Sequence, residues 1–265
     1  MRPSESKLGL VPTMGALHEG HLSLVRAARA KSDVVAVSIF VNPTQFGPNE
    51  DFARYPRNFE RDCDLLKQEK VDLVFAPSVQ EMYPDTNTSW VEVQGMSDRL
   101  CGKSRPGHFR GVTTVVAKLF NVIGPDLAFF GQKDAAQVAI IRRMVRDLNI
   151  PVQIEVGAIV REPDGLAMSS RNAYLTPGER KSALVLHRSL MRVKELFMHG
   201  EHSAEKLIST AKSELTAESV IKLDYFEIVD PETLEAMTVI TKPALAAVAV
   251  FIGNTRLIDN ALLEP

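Results

Sequence analysis

Pro12-Thr13-Met14-Gly15-Ala16-Leu17-His18-Glu19-Gly20-His21 separates two segments that constrain each other. Before it, Leu8-Gly9-Leu10-Val11 is short and apolar enough for a buried strand. After it, Leu22, Leu24, Val25 and Ala28 recur at helical spacing, which predicts a helix beginning at Gly20 or His21. Val34 to Val41 then forms a β-branched run suited to a parallel core strand. Strand, glycine-bearing loop, helix and strand make a βαβ unit. Its loop lies at the carboxyl end of the first strand, where open α/β sheets bind ligands.

That position sets the chemistry. A helix amino terminus offers unpaired N–H groups and a positive dipole end, both suited to phosphate. Gly15 and Gly20 permit close backbone approach. His18 and His21 share a face if both lie on the first helical turn, and could there donate to a phosphate and neutralise charge on a leaving group. A histidine taken singly is most often structural. Two of the chain's six in one strand-to-helix loop favour function. No cysteine or third ligand lies close enough in sequence to favour a metal site.

Further loops open on the same sheet edge. Asn42-Pro43-Thr44-Gln45-Phe46-Gly47-Pro48 follows the second strand, and the Gln45 amide can donate to a carboxylate and accept from a hydroxyl. Asn58 to Lys70 reads as an amphipathic helix with Phe59, Leu65 and Leu66 inward and Asp62 and Asp64 solvated, followed by a strand from Val71 to Ala76. Val79 to Arg105 reads as irregular, with a short strand possible at Trp90. Arg105 to Gly111 is a basic, glycine-rich loop leading into a helix whose apolar face carries Val112, Val115, Val116, Leu119, Phe120 and Ile123, stopped by Gly124-Pro125. Asp126 to Phe130 is a strand ending in Gly131-Gln132-Lys133-Asp134, ahead of a helix from Ala135 to Leu148. Lys133 thus stands at a strand's carboxyl end as a point charge for phosphate. Asp134 suits a helix cap as well as it suits catalysis. Gln137, on the first turn, faces the same crevice.

A strand from Val152 to Val160 precedes the turn Arg161 to Gly165, the best domain boundary. Past Thr176 come a long helix through Leu184 to Phe197, a second from Ala204 to Leu215, and strands near Leu223–Val229, Ala246–Ile252 and Arg256–Asn260. A net charge of −2 gives no electrostatic footprint for nucleic acid or an anionic membrane. Two distant cysteines, Cys63 and Cys101, indicate neither a disulfide framework nor a zinc knuckle, and favour a reducing compartment. No apolar run approaches the roughly 20 residues of a membrane span, and the first residues lack the apolar core of a secretory signal.

The H-x-G-H pattern of His18 to His21 resembles the signature of the adenylyl-transferring superfamily that includes class I aminoacyl-tRNA synthetases. The longer string PTMGALHEGH, with FVNPTQFGPNEDFARYPR and GLAMSSRNAYL downstream, resembles the pantoate-β-alanine ligase family. The similarity spans nearly the whole chain and is densest from Val11 to Leu175.

The resemblance implies a Rossmann-like, doubly wound parallel α/β sheet in residues 1–163 that binds ATP and pantoate, and a smaller α+β lid domain in 164–265. It implies condensation of pantoate with β-alanine through pantoyl adenylate, releasing AMP and pyrophosphate. His21, His18, Lys133 and Arg171 are the implied catalytic residues. ATP would be held by Met14, Gly15, Ala16, Leu17, His18, Glu19, Gly20 and His21. Gly131, Gln132, Lys133, Asp134, Val160, Met168, Ser169, Ser170 and Arg171 would complete that set. Gln45 and Gln137 would hold pantoate, and Asp62 would lie near the Mg²⁺ that accompanies ATP. A cytoplasmic homodimer acting on small molecules, without nucleic acid or membrane partners, is expected.

This chain departs from the family pattern in three places. Gln132 stands where glutamate is usual, Ala135 where an aromatic is usual, and relatives carry further residues forming a strand and helix ahead of Leu8. The carboxylate of pantoate is ionised at neutral pH and needs no base, whereas the sequence singles out no base for the β-alanine amine. A tRNA synthetase would need an anticodon-binding module and a basic face. A dinucleotide-forming transferase would not need the two glutamines, and a nucleotide sensor would bind ATP without turnover.

Overall fold

The computed structural model describes residues 6–48, 50–85 and 87–265. The stretch ahead of Ser6, where the expectation of further amino-terminal residues falls, lies outside them. The first layered unit runs β1 (Leu8–Thr13), α1 (Glu19–Lys31), β2 (Val34–Ile39), α2 (Phe59–Gln68), β3 (Leu73–Phe75), α3 (Val79–Met82), α4 (Cys101–Ser104), α5 (His108–Ile123), β4 (Leu127–Gly131), α6 (Ala135–Asp147) and β5 (Gln153–Gly157). Its five strands are parallel in the order β3-β2-β1-β4-β5.

The order positions everything that follows. The chain winds outward from β1 through β2 to β3, then returns to lay β4 on the other side of β1. The carboxyl ends of β1 and β4 therefore flank the switch point, and the loops leaving them diverge around a crevice. β1 is buried along nearly its whole length because both neighbours pair with it, from Leu8↔Val34 to Thr13↔Ile39 on one side and at Gly9↔Leu127 on the other. Helices cover both faces. Leu24, Val25 and Ala28 of α1 pack with Val11, Val35, Val37 and Leu66, and the apolar stripe of α5 packs with α6 on the opposite side.

The second unit comprises α7 (Pro177–Ala183), α8 (Val185–Met198), α9 (Ala204–Thr216), β6 (Ile221–Val229), β7 (Ala244–Ile252) and β8 (Thr255–Leu263). Its three strands are antiparallel in the order β6-β7-β8. Leu186, Leu190 and Val193 of α8 and Leu207 and Ala211 of α9 cover the inner face of β7. This is the α/β fold with a smaller α+β sheet domain expected from the sequence.

Local readings changed in several places. Phe59 is 52% exposed, and Asp62 takes the inward position one turn before Leu66. Asp62 is thus a buried charge and not a solvated one, for a reason that lies in the site. No strand forms at Trp90: the Thr114 hydroxyl accepts from Val91 N–H, the Thr113 hydroxyl donates to its carbonyl, and α5 thereby supplies what a ladder would. The indole lies beneath the Arg110 guanidinium. The stretch from Val79 to Arg105 contains two short helices, and the long helix expected through Leu184 to Phe197 forms as α8, with the short α7 ahead of it.

Candidate active site

The histidine loop is built backwards from what a phosphate loop would require. Gly15 and Ala16 both hold positive φ, at 79° and 49°, so the successive N–H groups of Ala16 and Leu17 converge on one point. That point is occupied by the Asp62 carboxylate, which accepts from Ala16 at 2.8 Å and from Leu17 at 2.9 Å. A Cβ at Gly15 would meet Asp62 Oδ2 at 3.0 Å and Ile39 at 3.1 Å, so glycine is required for both dihedral and space. Asp62, expected near Mg²⁺, accepts a loop backbone N–H on each of its two oxygens.

The two histidines cap their own helix. His18 is the N-cap of α1, and its Nδ1 accepts from Gly20 N–H at 3.1 Å. His21 sits three positions on, and its Nδ1 accepts from His18 N–H at 3.3 Å. This is the reciprocal arrangement of a capping box, made with two imidazoles. A Cβ at Gly20 would lie 2.9 Å from the His18 ring, so only glycine leaves room for it. Because Nδ1 is an acceptor in each ring, the proton of the neutral imidazole resides on Nε2. The ring centroids are 4.1 Å apart.

Electrostatics agree with that protonation. Burial, then His18 and Lys133, pushes His21 down to about 3; burial and Lys133 push His18 down to about 4. The imidazoles, expected to donate to phosphate and to neutralise charge, stand here as two rings of low pKa. At neutral pH they are uncharged Nε2–H donors, and the cation here is Lys133, which forms no hydrogen bond or ion pair through Nζ among the described residues.

Both rings line a cavity of about 230 Å³. Of the expected ATP residues, Met14, Gly20, Gly131, Lys133, Asp134, Val160, Met168, Ser169, Ser170 and Arg171 line it as well. Gly15, Ala16, Leu17, Glu19 and Gln132 do not. The first three are turned toward Asp62, Glu19 pairs with Arg26, and Gln132 hydrogen-bonds Asn260 at 3.1 Å. Asp134 is the N-cap residue of α6 but makes no side-chain capping bond, which leaves its carboxylate to the cavity.

The serine-arginine segment folds onto the histidine loop. Ser170 donates to the Ala16 carbonyl at 3.2 Å, and the Ser169 hydroxyl accepts from Arg171 N–H. The Arg171 guanidinium is bidentate to Asp51, with both contacts at 2.9 Å, and lies over the Tyr55 ring. It reaches the cavity as half of an ion pair, so a phosphate there meets Arg171 in competition with Asp51.

Gln45 and Gln137 line the same 230 Å³ cavity, over an apolar wall of Phe40, Val112, Val115, Val116 and Leu119. Asn42, almost fully buried, donates to Gln45 Oε1 at 3.1 Å and to the Gly111 carbonyl, and accepts from Thr44 and from Tyr83. Among the described residues Gln45 Nε2 meets only the Met14 thioether, a weak acceptor, which leaves the amide available to a carboxylate. The partners of Asn42, of the apolar helix face and of the next group become legible only when α5 is laid across the loop.

That next group is Glu50-Arg105-His108. Arg105 is bidentate to Glu50, with both contacts at 2.6 Å, and approaches His108 Nε2 at 3.0 Å. His108 Nδ1–H donates to the Gln45 carbonyl at 2.8 Å. Burial and the Arg105 charge hold His108 down at about 3.

Three histidines held neutral carry a stability consequence. Each has a folded-state pKa below its ordinary value near 6.5, so protonation favours the unfolded chain. Above pH 6.5 both states are neutral and the contribution is flat. Below it, stability falls until the folded pKa values near 3 to 4 are reached. Each ring keeps some surface toward the cavity, so the slope is discounted to about 1 kcal/mol per pH unit per histidine. Urea midpoints measured from pH 7 to pH 5 should drop steeply in the parent chain. The drop should be shallower by about one third in His108→Gln; equal slopes would contradict the neutral assignment.

Comparisons with known proteins bear on the family and the fold. Residues 1–262 match the family model of pantoate-beta-alanine ligase. A pantothenate synthetase of Koribacter versatilis is 61% identical over 257 residues, 97% of this chain and 88% of that protein. One from a Thermoanaerobacter species is 61% identical over 259 residues, 98% of this chain and 92% of its own. Among solved structures, the pantothenate synthetase of Thermus thermophilus superposes with a TM-score of 0.95 at 47% identity, covering 99% of this chain and 95% of the other. The pantoate-β-alanine ligase of Francisella tularensis, solved with β-γ ATP and β-alanine, superposes with a TM-score of 0.79 at 37% identity, covering 98% and 91%.

Proposed function

The chain belongs to the pantoate-β-alanine ligase family, and from that premise we propose how its own residues carry the reaction. It is a ligase that condenses pantoate with β-alanine to pantothenate at the expense of ATP. The observation that carries the site assignment is the 230 Å³ cavity, where two glutamine amides stand over an apolar wall beside two imidazole Nε2–H donors. Pantoate has the matching parts: a carboxylate and hydroxyls for Gln45 and Gln137, and a gem-dimethyl carbon for Phe40, Val112, Val115, Val116 and Leu119.

The pantoate carboxylate then attacks the α-phosphorus of ATP, forming the acyl–phosphate bond of pantoyl adenylate as the bond to pyrophosphate breaks. The β-alanine nitrogen next attacks the acyl carbon; the amide forms, AMP departs and the ammonium protons are lost to solvent. His18 and His21 donate to phosphate oxygens, and Lys133 supplies fixed positive charge as pyrophosphate leaves. Arg171 exchanges Asp51 for phosphate when ATP is bound, with Ser169 and Ser170 as hydroxyl donors beside it.

Mg²⁺ enters as part of the nucleotide. No cluster of three His, Cys, Asp or Glu side chains occurs among the described residues, and a hard cation that retains water and phosphate ligands needs none. Residues 1–163 act as the ATP- and pantoate-binding domain and 164–265 as a lid. The active species is a homodimer located in the cytoplasm; no helix among the described residues is long and apolar enough to cross a membrane.

Two-step chemistry has a direct assay. With pantoate and Mg²⁺ but no β-alanine, the chain should exchange labelled pyrophosphate into ATP; release of ADP and orthophosphate would overturn the adenylate route. Gln45→Ala and Gln137→Ala should each raise the pantoate concentration for half-maximal exchange while leaving that for ATP unchanged. The loss corresponds to about 1.5–3 kcal/mol for a hydrogen bond to a charged carboxylate. Equal weakening toward both substrates would point to collapse of the loop instead.

A further inference from the structure

Lys133 projects from a three-residue 3-10 turn, Gln132–Asp134, at the end of β4, and no side chain among the described residues grips its ammonium. Its aim is therefore set by the backbone of that turn. The turn is held from the other sheet. Asn260, on β8 and 3% exposed, donates through Nδ2 to the carbonyls of both Gln132 and Lys133, at 2.9 and 3.0 Å. Its Oδ1 accepts from Gln132 Nε2 at 3.1 Å. One buried amide thus uses both donors and its acceptor on two consecutive residues of the Lys133 turn.

The preceding residue performs the matching task at the other end of the phosphate site. Asp259, 3% exposed, takes the Arg161 guanidinium in a bidentate pair at 2.7 and 3.0 Å. Arg161 also donates to the Gly165 carbonyl, closing the turn that leads to Ser169, Ser170 and Arg171. Two adjacent residues of one strand hold the backbone of both phosphate-facing elements.

We propose that Asn260 is a positioning residue for Lys133, and that with Asp259 it keeps Lys133 in register with the Ser169–Arg171 segment when the carboxyl-terminal sheet moves relative to the parallel sheet. The proposal rests on the assignment of Lys133 to the phosphates of ATP. It places a determinant of the reaction on β8, outside every loop that the sequence motifs mark. The physical reason is leverage: a side chain that bonds the carbonyls of Gln132 and Lys133 holds the two peptide planes that flank the Lys133 Cα, and so the direction of the Cα–Cβ bond that leaves it. A displacement of about 1 Å at a catalytic group can cost on the order of 100-fold in rate.

The test is a double-mutant cycle read in two ways. In pantothenate formation, Asn260→Ala should lower kcat about tenfold or more while KM for pantoate stays within about twofold. In the Lys133→Ala background the same substitution should have no further effect, because Asn260 acts through the ammonium that is gone. The second reading, ATP affinity by calorimetry, does not depend on the acid substrate. There Asn260→Ala should weaken ATP about tenfold in the parent and not at all beside Lys133→Ala. Losses that multiply in both readings would reduce Asn260 to a structural residue and overturn the proposal, as would a parent-like kcat in Asn260→Ala.

Alanine leaves a hole in the strand, so Asn260→Asp is measured alongside. It keeps the volume but turns an oxygen on at least one of the two carbonyls, and it should reproduce the kcat loss with the fold intact by circular dichroism; a folded variant with parent-like kcat and ATP affinity overturns the assignment. If the parent chain binds ATP but forms no pantothenate, the functional reading fails while the calorimetric cycle still decides the role of Asn260.

Discussion

His21→Ala should lower kcat by about 10²- to 10³-fold while ATP affinity changes less than about tenfold, because the Nε2–H donor opposes charge that grows only as pyrophosphate departs. The geometry separates two ways in which the imidazole could act. As a cation it would be replaced in part by lysine. As a neutral donor held by a capping bond it would be replaced in part by glutamine, whose carbonyl can accept from His18 N–H as imidazole Nδ1 now does and whose N–H₂ then faces the cavity. His21→Gln should therefore retain more turnover than His21→Lys, with a melting temperature close to the parent. Alanine and lysine, neither of which carries an acceptor, would also forfeit the cap, at about 1 kcal/mol. The opposite order, or a loss confined to ATP affinity, would contradict the neutral-donor role.

Asp62→Ala should be the most damaging substitution remote from the substrates. Its carboxylate is buried against two backbone N–H groups at Ala16 and Leu17, and no other side chain hydrogen-bonds those amides among the described residues. Removing it leaves two donors unsatisfied, at about 2–4 kcal/mol in total, or roughly 5–10 °C in melting temperature for a chain of this size. The loop that carries His18 and His21 would then lose its anchor, and kcat should fall on the order of 100-fold. A metal ligand would behave differently. Its loss would leave stability unchanged or raised and would increase the Mg²⁺ concentration needed for activity. Titrating Mg²⁺ against the residual activity of Asp62→Ala, beside a thermal melt, distinguishes the two, and the structure requires an unchanged Mg²⁺ dependence with a lowered melt.

Gln132 and Ala135, the departures from the family pattern, take on different meanings in the fold. Gln132 turns its amide to Asn260, away from the 230 Å³ cavity, and contributes to the hold on the Lys133 turn. Ala135 opens α6 beside Asp134, where it packs against the core beneath the cavity.

The local parts of this protein could be read from its residues in order. Apolar runs at Leu8–Val11 and Val34–Val41, separated by a helical period, already required a βαβ unit, because strand and helix leave periodic signatures within a few neighbours. The spacing of His18 and His21 on one turn, with Gly20 between them, placed two imidazoles at a helix amino terminus for the same reason. Which atom of each ring faces the cavity was not legible there, since it depends on which backbone N–H reaches Nδ1. Asp62 looked like an exposed helix charge because its partners are 46 and 45 residues away. Arg171 meets Asp51 across 120 residues and Asn260 meets Gln132 across 128, separations at which composition and period carry no information. Those contacts exist because the chain reverses its strand order at β1 and β4 and then lays a second sheet against the opening. The sequence determined the elements and the kinds of side chain at the crevice; packing alone decided their partners, their protonation and their aim.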